Sequence, residues 1–397
     1  MGDGSYALEA AFKAHGIDAQ VLPVSDDESL ELGKKHAIGK ECLPFIITLG
    51  DFLKKLQEGS FDPETSAFFM PTSDGPCRFG LYFHRHKQIF QQLGYGNIPF
   101  ISPNQGSANG YYNELAKFPP GFSRTAWQAI VAFESLEKLY HAYRPYALDK
   151  EHLNQVYRDG LKTLAQGVIE HRLSATLEEI LPIYGQIPLD RGKKKPIIGI
   201  VGEIYLRSHP FSNNYLIARI EELGGEVWQA TTQEWIMFVS HWLERDSWER
   251  GDYKGFLRAY LKRYFQKRDE KKISGLFKSY STHIEEPEIE LILKYSDKYL
   301  HHSCGTEAVL SLGRAMDFIY QGASGLILVM PFTCMPGTIA GAMLKQVQEE
   351  FHNIPCLALS FDGLEDTHLQ TRLDAFMYQA HQYQKRVISY SQPIKLS

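Results

Sequence analysis

Three short apolar runs in the second half of the chain do most to limit its fold. They are "PIIGIVGEI" (Pro196–Ile204), "GLILVMPFTC" (Gly325–Cys334) and "IPCLALSFDG" (Ile354–Gly363). Each is of strand length and lacks polar alternation, which marks a strand buried on both faces of a parallel sheet. Helix-compatible sequence separates them. "NNYLIARIEELGGEVWQA" adds a helix, a glycine stop and a further strand. The first half repeats this order more faintly. "ALEAAFKAHG" reads as a helix ending at Gly16, followed by a short strand over Ala19–Pro23. "ECLPFIITLGDFLKKLQEG" turns from loop to helix, "SAFFMPTSDGPCRFGLYFHRHKQIFQQLG" runs strand, loop, helix, and "NIPFISPN" holds another strand. The β-loop-α repeat predicts an α/β fold with parallel sheets. We expect two lobes. Residues 1–192 form an α/β lobe whose tail, from about Thr125 to Leu181, is helical. Residues 193–397 form a second α/β lobe interrupted by a helical insertion over about 235–300. Arg191–Pro196 is the expected hinge.

Composition narrows the partners. The chain has 397 residues, 44% hydrophobic and 22% charged, with a net charge of −5. That balance does not draw a protein to nucleic acid or to a membrane surface. Its apolar stretches fall short of the ~20 residues of a membrane span. The start "MGDGSYALEAAF" is acidic and carries no secretory pattern. The expected location is cytoplasmic, where five unevenly spaced cysteines do not make a disulfide scaffold.

Three of the cysteines share one setting. "ECLPF" holds Cys42, "GPCRFG" holds Cys77 and "PFTCMPG" holds Cys334, each with a proline within two residues and each at a predicted entry to a helix. Proline limits the loop's freedom, and glycine lets backbone N–H groups approach a ligand. Loops beyond the carboxyl ends of parallel strands form the ligand site of open α/β sheets. A helix N-terminus there is expected to lower a thiol's pKa. Their wide separation excludes a local CxxC knuckle. If they converge, they suit an iron–sulfur cube with one iron left without a cysteine. The bland alternative is three small buried hydrophobes. Cys356, inside an apolar run, fits that alternative. Cys304, in "HHSCGTEAV", is either a fourth ligand or a neighbour of the site.

Other residues offer weaker signals. Glu41, Glu203 and Glu307 are placed to act as a carboxylate or proton donor beside a metal centre, or to serve as surface and cap residues. Arg78 is suited to offset thiolate charge or to form a structural ion pair. His84, His86, His301 and His302 lack the spacing of a zinc helix. Asn213–Asn214 reads as a helix cap.

The stretches "GKECLPFIITLGD", "FFMPTSDGPCRFGLY", "GIVGEIYLR" and "VMPFTCMPGTIAGAM" resemble the activase-related members of the 2-hydroxyacyl-CoA dehydratase family, and the likeness extends to "SFDGLEDTHLQTRLDAFM". The resemblance implies two Rossmann-like lobes with a 4Fe–4S cluster in the cleft between them. It assigns the cluster to Cys42, Cys77 and Cys334. It implies low-potential electron transfer, or reductive chemistry at an open iron, driven by a separate activase-type ATPase. Acyl-CoA or another small molecule is the implied substrate. The chain shows no P-loop: "GKKHAIGKE" has the wrong glycine spacing and ends in Glu41. The ATP-driven step therefore calls for a partner. The double-cubane branch of the family needs six thiolates, more than five cysteines supply, so that variant would require a non-cysteine ligand or a homodimer. An acyl-CoA dehydratase subunit and a non-catalytic accessory subunit are the alternative functions.

Overall fold

The computed structural model describes residues 2–59, 61–73, 75, 77–104, 117–364 and 368–389. It shows the expected α/β fold, with two sheets whose strands all run parallel. The larger sheet is built from β3 (Ile197–Gly202), β4 (Glu226–Gln229), β5 (Gly325–Pro331) and β6 (Cys356–Phe361), in the spatial order β4-β3-β5-β6. Ile198, Ile200, Ile327 and Val329 pack on one face. Val201, Leu326 and Leu328 pack on the other. Two buried faces explain why these strands lack polar alternation. The chain leaves β3 toward β4 on one side, then returns to place β5 on the other side. The order reverses between β3 and β5, and in such sheets the crevice beyond the carboxyl ends at that point is the ligand site.

The smaller sheet is thin. It pairs β1 (Phe68–Phe69) with β2 (Phe100–Ile101), extended by a bridge between Thr72 and Asn104. The strand expected over Ala19–Pro23 does not form. That segment is held by a side chain instead of a ladder: the Val21 amide donates to a Glu9 carboxylate oxygen at 2.9 Å. Helices carry the bulk of this region. They include α1 (Gly4–Ala14), α2 (Asp27–His36), α3 (Leu43–Gln57) and α4 (Tyr82–Gln92). Leu30 of α2 and Leu43 and Ile47 of α3 are buried against the β3–β5 face of the larger sheet, together with Leu369, Leu373 and Phe376 near the C-terminus. Burying a leucine or isoleucine this way stabilises by about 1.5–3 kcal/mol, so α2 and α3 belong energetically to the second sheet as much as to the first.

The helical tail and the helical insertion make one body. The tail consists of α5 (Phe122–Tyr143), α6 (Lys150–Ile169) and α7 (Leu173–Gly185). After β3 come the short helices α8 (Ile204–Ser208) and α9 (Leu216–Glu222). The insertion contributes α10 (Thr232–Glu249), α11 (Tyr253–Gly275) and α12 (Ile289–Ser296). Val131, Leu136, Leu153 and Leu164 of the tail share a core with Ile273 and Phe277. Arg124 grips Asp269 through two bonds of 2.7 and 2.8 Å, and the Trp127 indole donates to the Gln266 carbonyl at 3.0 Å. Asn213 is not the N-cap of α9, which is Tyr215, but its side-chain oxygen accepts from the Leu216 amide at 3.1 Å just ahead of the helix. The last helices are α13 (Glu307–Tyr320), α14 (Met335–Glu350) and α15 (Leu369–Ser389). No helix among the described residues is long and apolar enough to cross a membrane.

Candidate functional site

Cys42, Cys77 and Cys334 occupy the same local position. Cys42 is the N-cap of α3, Cys334 is the N-cap of α14, and Cys77 is the N-cap of a 3₁₀ turn, Arg78–Leu81, that runs on into α4. All three have extended backbone, with ψ of 160°, 136° and 120°. An N-cap side chain folds back over the open amides of its helix, and the Cys334 sulfur accepts from the Gly337 amide at 3.4 Å. Pro44 and Pro336 stand at the second helical positions, within the first turn, where a missing N–H costs nothing.

The three cysteines line one cavity of about 1840 Å³, and Arg78, Tyr82, Glu203 and Glu307 line it with them. The larger sheet supplies the floor. β3 ends at Gly202, whose φ is +115° and where a Cβ would meet the Val329 carbonyl oxygen at 2.0 Å. Only glycine lets the backbone turn there. The turn delivers Glu203 to the crevice, its carboxylate capping α8 through the Tyr205 and Leu206 amides at 3.1 and 2.8 Å. β5 ends at Pro331 and leads to Cys334 three residues later. Glu307, at the start of α13, accepts from the Ile204 amide at 2.7 Å.

The electrostatics are one-sided. Burial pushes the Cys334 thiol up to about 12, and the charges of Glu307 and Glu203 add to the rise; Cys77 is pushed up the same way by surrounding protein although its side chain reaches the surface. Cys42 is also raised by burial, partly offset by the Tyr82 hydroxyl and the Arg78 charge. For the buried Cys42 and Cys334 of the metal-free chain, loss of water outweighs the helix amides expected to lower them. Burial and the neighbouring Glu203 push Glu307 up to about 8, while burial raises Glu203. The cationic side chains close by are turned to neutral oxygens. Arg207 donates to the Gly202 and Thr231 carbonyls at 3.0 and 2.6 Å. Arg78 donates to the carbonyl of Lys40 at 2.7 Å and to the carbonyl and hydroxyl of Thr333 at 2.8 and 3.0 Å. These bonds are not an ion pair, while the Arg78 charge still lowers the Cys42 thiol. A pocket of protonated thiols and carboxyls with its cations engaged elsewhere is suited to a positively charged centre, whose binding releases protons.

Other expected residues fall elsewhere. Glu41 does not line the cavity. Its carboxylate accepts from the Ile38 and Lys40 amides at 2.9 and 3.1 Å and pairs with Arg85 at 3.3 Å, so it is spent on its own loop. Cys304 does not line it either. Its sulfur lies 3.8 Å from the Thr306 hydroxyl, and it packs beside the Phe238–Ile289 cluster. The next three residues, Gly305–Glu307, do reach the cavity. Cys356 sits in β6, half-buried, its thiol pushed up to about 12 by burial. His86 is fully buried, stacked on Phe45 at 4.5 Å and pushed down to about 3 by burial, which makes it a neutral core residue. His84 is exposed. His301 and His302 stand with Asp297 away from the cavity lining. Among the described residues these three form the group whose ligand atoms lie within 4.8 Å of one another, the spacing of a single ion. The three cavity cysteines are not drawn together that tightly, so they do not form a one-ion site.

Two features were not visible in the sequence. The Tyr82 hydroxyl lies 2.6 Å from the Cys42 sulfur. Its only advance signal is an aromatic residue one turn into the helix that follows Cys77. A buried chain also lines the cavity: Ser25 donates to Asp51 at 2.8 Å, His209 Nε2 lies 3.2 Å from Ser25, and His209 Nδ1 lies 2.6 Å from Ser212. The Ser212 amide also points at His209 Nδ1, at 3.3 Å, which places the ring proton on Nε2. No family model matches the chain, and no curated protein matches it.

Proposed function

We propose that the chain is a 4Fe–4S redox protein of the 2-hydroxyacyl-CoA dehydratase family, acting in the cytoplasm and reduced by a partner ATPase of the activase type. The observation that carries this reading is the placement of Cys42, Cys77 and Cys334. They are 35 and 257 residues apart in sequence, yet each caps a helix and each lines the same cavity. The donor set fits the group. Three thiols spaced more widely than a one-ion site suit a multi-iron core, and the surplus of acidic groups suits its positive charge. Such a cluster, when bound, supplies low-potential one-electron chemistry at an iron that lacks a cysteine.

The chain's own residues have separable tasks. Cys42, Cys77 and Cys334 would hold the group. The Tyr82 hydroxyl, hydrogen-bonded to the Cys42 sulfur at 2.6 Å, would fix its direction. Glu307 keeps a proton on its carboxyl near neutral pH because burial and Glu203 hold it there, so it is a proton source on the cavity wall. The test is anaerobic preparation followed by iron and sulfide analysis and EPR. Brown protein with about four irons per chain supports the reading, and colourless protein in anaerobic preparations favours the accessory-subunit alternative. The dehydratase reading draws on the size of the cavity. At about 1840 Å³ it exceeds the ~300–1,000 Å³ of ordinary small-molecule sites and has room for a large thioester.

A further inference from the structure

We infer that Arg78 is a positioning residue: its guanidinium keeps the three cysteine loops assembled in the metal-free chain. Arg78 follows Cys77 directly. One arm of its fork binds the carbonyl of Lys40, two residues before Cys42, at 2.7 Å. The other arm binds the carbonyl and the hydroxyl of Thr333, the residue before Cys334, at 2.8 and 3.0 Å. One side chain thus touches all three loops, and two of its bonds span 255 residues of sequence.

The Thr333 end shows why a strut is needed. Thr333 has φ of +62°, a left-handed conformation that a β-branched residue rarely adopts. That conformation aims Cys334 into α14, and a backbone held this way persists only when its surroundings over-determine it. Arg78 supplies two of those surroundings at once. The geometry also rules out lysine as a replacement. An ammonium is a single point, whereas these acceptors lie on opposite loops and match the planar fork of a guanidinium. Arg78 is half-exposed and its three bonds are at the surface, so its removal empties no core volume. The loops should loosen without the fold being lost.

The inference rests on the reading of these cysteines as one site, but its test needs no iron. The experiment is hydrogen–deuterium exchange with mass spectrometry on metal-free wild type, Arg78→Met, Arg78→Lys and Thr333→Val. Losing the bonds should speed exchange in residues 38–42 and 331–337 about tenfold in both Arg78 variants. The amides of β3 and β5 should stay as protected as in wild type. Thr333→Val removes one acceptor, so its smaller effect should be confined to 331–337. Unchanged exchange in those loops, restored protection in Arg78→Lys, or global unfolding of Arg78→Met each overturns the inference. An iron-free wild type would overturn the cluster instead, and would leave the exchange result standing on its own.

Discussion

Two buried glutamates, one in the helical body and one on the cavity wall, show how this protein separates structure from site. Glu286 lies among helices and is fully partnered. Arg314 binds it at 2.6 Å, Lys138 pairs with it, and the Thr231 hydroxyl donates at 2.7 Å. Burial alone would raise it, but Arg314 and Lys138 pull it down to about 2. Glu307 lies at the mouth of the sheet crevice. Burial and the neighbouring Glu203 push it up to about 8, and Arg207 offsets only part of that. Both carboxyls are largely shielded from bulk water. One has its counter-charges built in, and the other faces thiols and a second carboxyl. A buried anion without its cation is costly, and proteins retain it where a ligand supplies the missing charge.

The comparison can be tested, beginning with the thiols that share the Glu307 wall. Cys42→Ala, Cys77→Ala and Cys334→Ala should each lose most of the iron in anaerobic protein, whereas Cys304→Ala and Cys356→Ala should keep it. Equal iron in all five variants would show that the wall is not a cluster site. Next in size is the structural side. Arg314→Met takes the cation from Glu234 and Asp317 and leaves Glu286 with the Lys138 cation alone, and should cost about 3–5 kcal/mol in urea unfolding. A loss under 1 kcal/mol would mean that this ion cluster does not hold the helical body together. Third come the glycines of the two cysteine walls. Gly202→Ala meets backbone at 2.0 Å in addition to its strained φ, and should cost about 3 kcal/mol. Gly75, with φ of +124° and open space around it, should cost about 1–2 kcal/mol as alanine. Equal costs would mean that the floor from the larger sheet is no more rigid than the loop before Cys77.

The smallest effect is the pH slope. Glu307 has a folded pKa raised above its ordinary 4.5 to about 8. Its contribution to stability is therefore fully present below pH 4.5 and is lost as pH rises through about 8. Glu286 has the opposite sign: its contribution is present above pH 4.5 and is lost as pH falls through about 2. Urea midpoints of the metal-free protein should fall between pH 5 and pH 8, and Glu307→Gln should flatten that decline. A Glu307→Gln profile parallel to wild type would show that this carboxyl is not the source of the slope.

How much of this was legible in the sequence depends on the range of the interaction. β3, β5 and β6 were readable because a strand buried on both faces must be continuously apolar. The three cysteine caps were readable because proline and glycine mark a helix entry locally. The strand expected at Ala19–Pro23 was not decidable from those residues, since Glu9 takes the Val21 amide. The division into two lobes hid the union of α5–α7 with α11, which depends on Arg124 meeting Asp269. Glu41 looked like a site residue because it precedes Cys42, but the direction of its side chain is set by Arg85, on another helix. Arg78 was noticed for its charge, whereas its geometry comes from Thr333, which no local pattern connects to it.

The latch between Arg78 and Thr333 also has a consequence in time. Cys334 leaves the ribosome about 250 residues after Cys77. At roughly 5–20 residues per second, the ribosome takes on the order of 10–50 s to cover that distance. During this interval the first two thiols have no third companion, and Arg78 has no Thr333 to hold. The site is completed only after the helical body and the first three strands of the larger sheet, β3, β4 and β5, have been made. In a growing chain, the pocket therefore remains incomplete until β5 and the loop that carries Cys334 have been made.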